Sequence, residues 1–129
     1  MRVFKLLLLS LLLLVGCRAT NPYDPVPKHL YLTLQTYQDV VRWKDLNKIY
    51  QFGGPEAEWE VQTGLENVRV THYEASTPNE IEPWLWGQLV VIDYVLTDRQ
   101  VVRRLVDKQL WTSDDEGKSW HRVNPPPRF

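Results

Sequence analysis

Few residues of this 129-residue chain have the types and spacing for chemistry, and the first is its only cysteine. Cys17 follows an uncharged run, Leu6 to Val15, and the small Gly16. Its thiol is a nucleophilic atom, and the small residue before it leaves the bond between them sterically open. A lone cysteine closes no intramolecular disulfide and is a poor basis for a cysteine-based zinc centre. His29, His72 and His121 fall at a helix start, in mid-strand and in the last strand, with no two at ligand spacing. Calcium loops and glycine-rich phosphate cradles are lacking too, so neither metal nor cofactor is expected. Asp93, in the apolar stretch Val90-Val91-Ile92-Asp93-Tyr94-Val95, is the candidate base, since burial would raise its pKa toward a useful range. Neighbours on a strand point to opposite faces, so its partner in a cavity would be Tyr31 or Tyr37 rather than Tyr94. The alternative, which the residues favour, sets Asp93 in solvent beside Val91 and Val95, paired to an arginine of the next strand. No catalytic residue is assigned.

Six tryptophans are the most distinctive content. Trp43 and Trp111 read as core, and Trp111 and Trp120 as cross-strand neighbours flanking a final hairpin. Trp84 and Trp86 lie two apart in a proline-flanked segment and would share one exposed face if extended. That pair is the candidate contact for a protein partner or a small apolar ligand.

The elements that must position these groups follow from periodicity. Leu30, Leu34, Tyr37 and Val41 recur at helical spacing from His29 onward. Asp45 reads as the N-cap of a second, shorter helix carrying Leu46, Ile49, Tyr50 and Phe52, ended by Gly53-Gly54-Pro55. Beyond Gly64 the period drops toward two. Val68, Val70 and His72 form one face of a first strand, and Thr77 to Pro83 a loop or short helix. Leu85–Leu96 and Gln100–Trp111 are long strands joined at Thr97-Asp98-Arg99. Asp115-Glu116-Gly117 turns the chain into a last strand, Lys118–Val123. Two helices followed by four or so antiparallel strands predict an α+β fold. Arg104 and Lys108 fall on one strand face and Arg103 on the other, a pattern suited to cross-strand pairing with acids.

The chain holds 15 basic and 16 acidic side chains; losing Arg2 and Lys5 with residues 1–16 leaves 13 against 16, a net charge of −3. Such a domain is a poor partner for nucleic acid, whose binding rests on neutralising phosphates. Ten apolar-rich residues of helix span about 15 Å, half a bilayer core, so Leu6–Val15 with its basic start reads as an export signal rather than an anchor. Residues 1–16 are therefore assigned as signal, 17–28 as a proline-rich tether, 29–124 as the α+β domain and 125–129 as a proline-rich tail.

Leu14-Val15-Gly16-Cys17 resembles the lipobox of bacterial lipoproteins. The resemblance implies cleavage between Gly16 and Cys17, a diacylglyceryl group on the sulfur and an acylated amine. Two or three chains give stable anchoring where one does not. By the same resemblance Arg18, which is not Asp, implies the outer membrane, with the domain facing the periplasm. Residues 29–123, through the segment Tyr37–Leu46 and the strand end Lys108-Gln109-Leu110-Trp111, resemble the nuclear-transport-factor-like, or cystatin-like, cone. They also resemble small bacterial lipoproteins ending in Gln-x-Trp … Trp, here Gln109-Leu110-Trp111 and Trp120. The cone implies a curved sheet wrapped around the first helix. Its isomerase and dehydratase members imply an Asp or His base with a Tyr donor. The expected function is a lipid-anchored envelope protein acting as a non-catalytic binding or assembly module. A small cone-fold enzyme and a structural subunit of an envelope complex are the alternatives.

Overall fold

A computed structural model describes residues 26–129; the signal segment, Gly16, Cys17 and the tether as far as residue 25 lie outside the described residues. Helix α1 runs Lys28–Trp43, and its predicted stripe of Leu30, Leu34, Tyr37 and Val41 is buried together with Val40. Asp45 caps the next element as predicted, its carboxylate accepting the Asn47 backbone N–H at 3.0 Å. That element, Leu46–Phe52, is a 3₁₀ helix.

Five antiparallel strands follow: β1 (Val68–Ala75), β2 (Asn79–Glu82), β3 (Leu85–Leu96), β4 (Val101–Thr112) and β5 (His121–Arg122). The fold is α+β, with the helices packed against an open sheet. β4 lines one edge of β3 along its whole length, while β1 and β2 share the other edge, β1 against Val90–Leu96 and β2 against Leu85–Gly87. The segment predicted as loop or short helix is therefore partly strand. Between β1 and β2, Ser76 bridges the break: its N–H donates to the Leu89 carbonyl at 2.8 Å, and its hydroxyl accepts the Leu89 N–H at 3.0 Å.

β1 departs from simple alternation. Its register moves from Val70 opposite Tyr94 to His72 opposite Asp93, which leaves Thr71 as the extra residue of a bulge. The bulge reverses the phase beyond it. His72, expected on the face of Val68 and Val70, is exposed, and Tyr73 takes the inward position.

The core lies between α1 and one face of the sheet, where Leu30, Tyr37, Ile49, Val90 and Ile92 are fully buried. Burying each such side chain contributes roughly 1.5–3 kcal/mol relative to exposure. Residues 125–129 are not a free tail. Pro126 is buried, Phe129 meets the Tyr94 ring edge-on at 5.1 Å, and the Gln62 amide exchanges two hydrogen bonds with the Phe129 backbone at 2.6 and 2.9 Å. They belong to the domain because its inner face is incomplete without Phe129.

Candidate functional site

Polar side chains converge inside the domain at one place. β4 alternates so that Asp107, Gln109 and Trp111 all point inward, and β5 brings Arg122 beside them. The Arg122 guanidinium grips Asp107 with two bonds, 2.6 Å to Oδ1 and 2.9 Å to Oδ2. It also donates to the Tyr37 hydroxyl at 2.9 Å, the Asn124 carbonyl at 2.9 Å and the Pro125 carbonyl at 3.1 Å. A guanidinium has five N–H donors, and all five are used. Gln109 extends the network: its amide N–H groups reach Asp107 and the Tyr73 hydroxyl, both at 3.0 Å, and its carbonyl accepts the Trp111 indole N–H at 3.0 Å. Gln109 and Trp111 are thus the two ends of one hydrogen bond, made possible because residues two apart on a strand share a face.

Electrostatics inside the network follow from burial and pairing. Burial is the main reason that the Tyr37 and Tyr73 hydroxyls are held well above the ordinary phenol range, so both stay neutral. For Arg122 burial opposes the charge, yet the bonds and charge of Asp107 outweigh it and the guanidinium is held more firmly protonated than usual. Every donor of the ion pair is matched from within the protein. Chemically this is a strut joining α1, β4, β5 and the chain beyond β5.

A second constellation sits at the β4–β5 hairpin. Glu116 and Gly117 both have positive φ, +59° and +83°, the geometry of a tight hairpin turn. Asp115 organises it by accepting the Ser119 N–H and hydroxyl at 2.9 and 2.6 Å and the Ser113 hydroxyl at 2.8 Å. These bonds, the Ser119 hydroxyl first, hold its carboxyl well below the usual carboxylate range. The spacing Ser-x-Asp-x-Gly-x-Ser-Trp from Ser113 to Trp120 was the available sequence signal, because each position has a task here: donor, acceptor, positive φ, donor and packing.

The grooves of the surface lie around this frame. One, of about 540 Å³, is lined by Gly54, Trp59, His121, Glu56, Glu58 and Asp114 among others. The backbone there is tightly covered, since a Cβ on Gly54 would lie 2.7 Å from the His121 ring and one on the preceding Gly53 2.8 Å from the Trp59 ring, so either ring would have to move. A groove of about 400 Å³ between α1 and the hairpin is lined by His29, Leu32, Lys118, Trp120 and His121 among others. The buried Trp120 indole N–H is without a hydrogen-bond partner among the described residues.

The residues singled out from sequence are not brought together. Asp93 stands on the outer face, its carboxylate held by Arg104 of β4 at 2.7 and 3.1 Å, and these hydrogen bonds lower its pKa. Tyr37 is fully buried in the strut, and Tyr31 is 53% exposed on the other side of α1. An Asp93–Tyr31 or Asp93–Tyr37 pair therefore does not form, because Asp93 and Tyr37 lie on opposite faces of the sheet. Trp84 and Trp86 do not share an exposed face either. Trp86 points inward and is buried, whereas Trp84 lies in the turn before β3 with φ +64° and is 45% exposed. Trp111 is core, packed edge-on to Tyr37 and Phe52, but Trp43 is 74% exposed at the end of α1, with the Arg42 guanidinium over its ring at 4.3 Å. Opposite Trp111 stands Arg122, not Trp120, which instead meets Trp84 at 6.3 Å.

Among the described residues no group of histidine, cysteine, aspartate and glutamate is arranged to hold a metal, and no helix is long and apolar enough to cross a membrane. Outside the strut, exposed apolar side chains stand together on the outer face of β3 and β4. That face carries Leu89, Val102 and Val106 at 51, 75 and 58% exposure, with half-buried Val91 and Val95 between them. Val91 pairs with Val106 and Val95 with Val102, so they form a band around the Asp93–Arg104 pair. Compared with protein-family models, characterised proteins and solved structures, the chain matches none.

Proposed function

We propose that this chain is a lipid-anchored protein of the bacterial cell envelope, held at Cys17, and that it acts as a non-catalytic binding or assembly module. A helix seated against one face of an open antiparallel sheet supports the cystatin-like reading of the fold, in a version whose inner face is filled by the strut and by Phe129. One observation carries the functional reading: the uncovered valine band on the outer face of β3 and β4. Contiguous apolar surface rimmed by charge is how soluble domains meet protein partners. The occupant this band fits is the flat apolar face of another protein, with Asp93 and Arg104 supplying one charge of each sign to fix orientation.

A photo-crosslinking residue placed at Val102 or Val106 of the full chain, in cells, tests the reading. The expected result is a discrete adduct from both positions and none from Lys44, which is exposed beyond α1. Adducts no stronger at Val102 and Val106 than at Lys44 would overturn it.

A further inference from the structure

The start of α1 is where the tether enters the domain, and exposed apolar side chains gather around it. Tyr31 and Leu32, in its first turns, are 53 and 47% exposed. Pro27, just before the helix, shares with Trp84 the wall of a groove of about 240 Å³. Trp84 in turn meets Trp120, and Trp120 lines the next groove together with His29 and Leu32. Shared grooves and ring contacts thus run from Pro27 through Trp84 and Trp120 to Leu32.

Trp84 is presented there by construction. Its φ of +64° is a conformation that bulky residues avoid. Two bonds to its carbonyl hold it, from the Thr112 hydroxyl at 2.8 Å and the Ser113 N–H at 3.2 Å. The ring lies so close over Gly117 that a Cβ there would be 2.9 Å away. Strain is thus accepted to leave an indole half exposed at the tethered end.

We propose that this end of the domain rests on the bilayer that holds the lipid, with Trp84 as an interfacial anchor and Leu32 and Tyr31 beside it. The inference rests on the lipid-anchor reading. From Cys17 to Val26 there are nine residue steps, which at about 3.3–3.6 Å each keep Val26 within roughly 30 Å of the lipid-bearing atom. Confinement on that scale gives a weak apolar patch a high effective concentration of membrane. Indole rings favour the headgroup boundary, where the ring is apolar and the N–H is wet. Charge does not drive the contact, because the two grooves carry one charge of each sign, Lys118 in one and Glu80 in the other. The opposite end supplies a control: Trp43, the more exposed indole, lies fifteen steps along α1, about 22 Å farther from the tether.

The test uses the full lipidated chain reconstituted in phosphatidylcholine vesicles with brominated or ordinary acyl chains. Bromine near the headgroup end of the chains is expected to quench part of the tryptophan emission. Trp84→Phe is expected to remove most of that quenching, and Trp43→Phe none of it. Leu32→Ser, which leaves every indole in place, is expected to weaken it. Quenching that survives Trp84→Phe, or that disappears with Trp43→Phe, would overturn the proposal. A chain that floats with the vesicles yet is unquenched would overturn the docking and leave the anchor standing. A chain that neither floats nor carries acyl mass at Cys17 would overturn both.

Discussion

Asp107→Asn is the sharpest perturbation of the strut. Asp107 is 3% exposed and Arg122 1%, so the change leaves a guanidinium buried without its counter-charge. Three short contacts to the carboxylate are altered, at 2.6 and 2.9 Å from Arg122 and 3.0 Å from Gln109. Asparagine keeps the shape but turns an NH₂ toward one of those donors. Breaking one side of a buried pair costs about 3–5 kcal/mol. Domains are stable by only about 5–15 kcal/mol in all, so roughly a fifth or more of the total is at stake. At roughly 4–8 °C per kcal/mol for a domain of this size, Tm falls by at least about 12 °C. Thermal melting of the full chain followed by tryptophan emission reports it, because Trp111 donates to Gln109 within the same network. The double change Asp107→Leu with Arg122→Met removes both charges and should cost less than the sum of its singles by about 0.5–3 kcal/mol. A loss for Asp107→Asn below about 1 kcal/mol, the worth of an exposed pair, would refute the reasoning. So would strict additivity in the double variant.

Three further outcomes are expected. Cys17→Ser leaves an uncleaved, unlipidated precursor, read by mass spectrometry of the N-terminus; a mature start elsewhere would contradict the lipobox reading. Asp115→Asn destabilises the hairpin at neutral pH. Because the folded pKa of Asp115 is depressed, its contribution is present above the unfolded value of about 3.9 and fades as pH falls below it, so melts of the two proteins should converge in acid. Gly117→Ala and Gly64→Ala both place a side chain at positive φ, +83° and +80°, but only the former also meets a ring, 2.9 Å away on Trp84. Gly64→Ala should cost about 1–2 kcal/mol and Gly117→Ala more, by urea titration.

Periodicity carried the fold a long way. β3 occupies the predicted Leu85–Leu96, the α1 stripe is buried residue for residue, and Asp45 caps the helix it was expected to cap. What alternation could not supply was the bulge at Thr71. One extra residue exchanged His72 for Tyr73 on the inner face, and no neighbouring glycine or proline marked it. Trp43 was misplaced against the spacing: two residues past Val41 it falls off the buried stripe, and at the last position of α1 it is exposed. Asp93 was legible as a surface residue, since its pairing to the next strand follows from facing Arg104 in register. The strut was missed although its signal was present. Once Trp111 is taken as core, Gln109 and Asp107 must point the same way, and a buried aspartate demands a cation, which Arg122 of the neighbouring strand supplies.

β4 makes the relation between stability and surface explicit. Its inward positions are Leu105, Asp107, Gln109 and Trp111, and its outward ones are Val102, Arg104, Val106 and Lys108. Hydrophobicity alone would not choose this phase over its opposite, for a slip by one residue would bury Val102 and Val106 and free Asp107. Register is weakly specified where both faces offer apolar side chains, and a slip flips all of them at once. The choice here falls to polar geometry: a bidentate pair, an amide that joins an indole to a phenol, and Asn124, whose side chain continues the pairing with β4 past β5 at 2.6 and 3.0 Å. None of those bonds survives a slip. The strut therefore does more for uniqueness than its net energy suggests, because it lets the strand keep valines outward without letting them fold in. The proposed binding role gives that arrangement a use, since it keeps the apolar band outward for a partner.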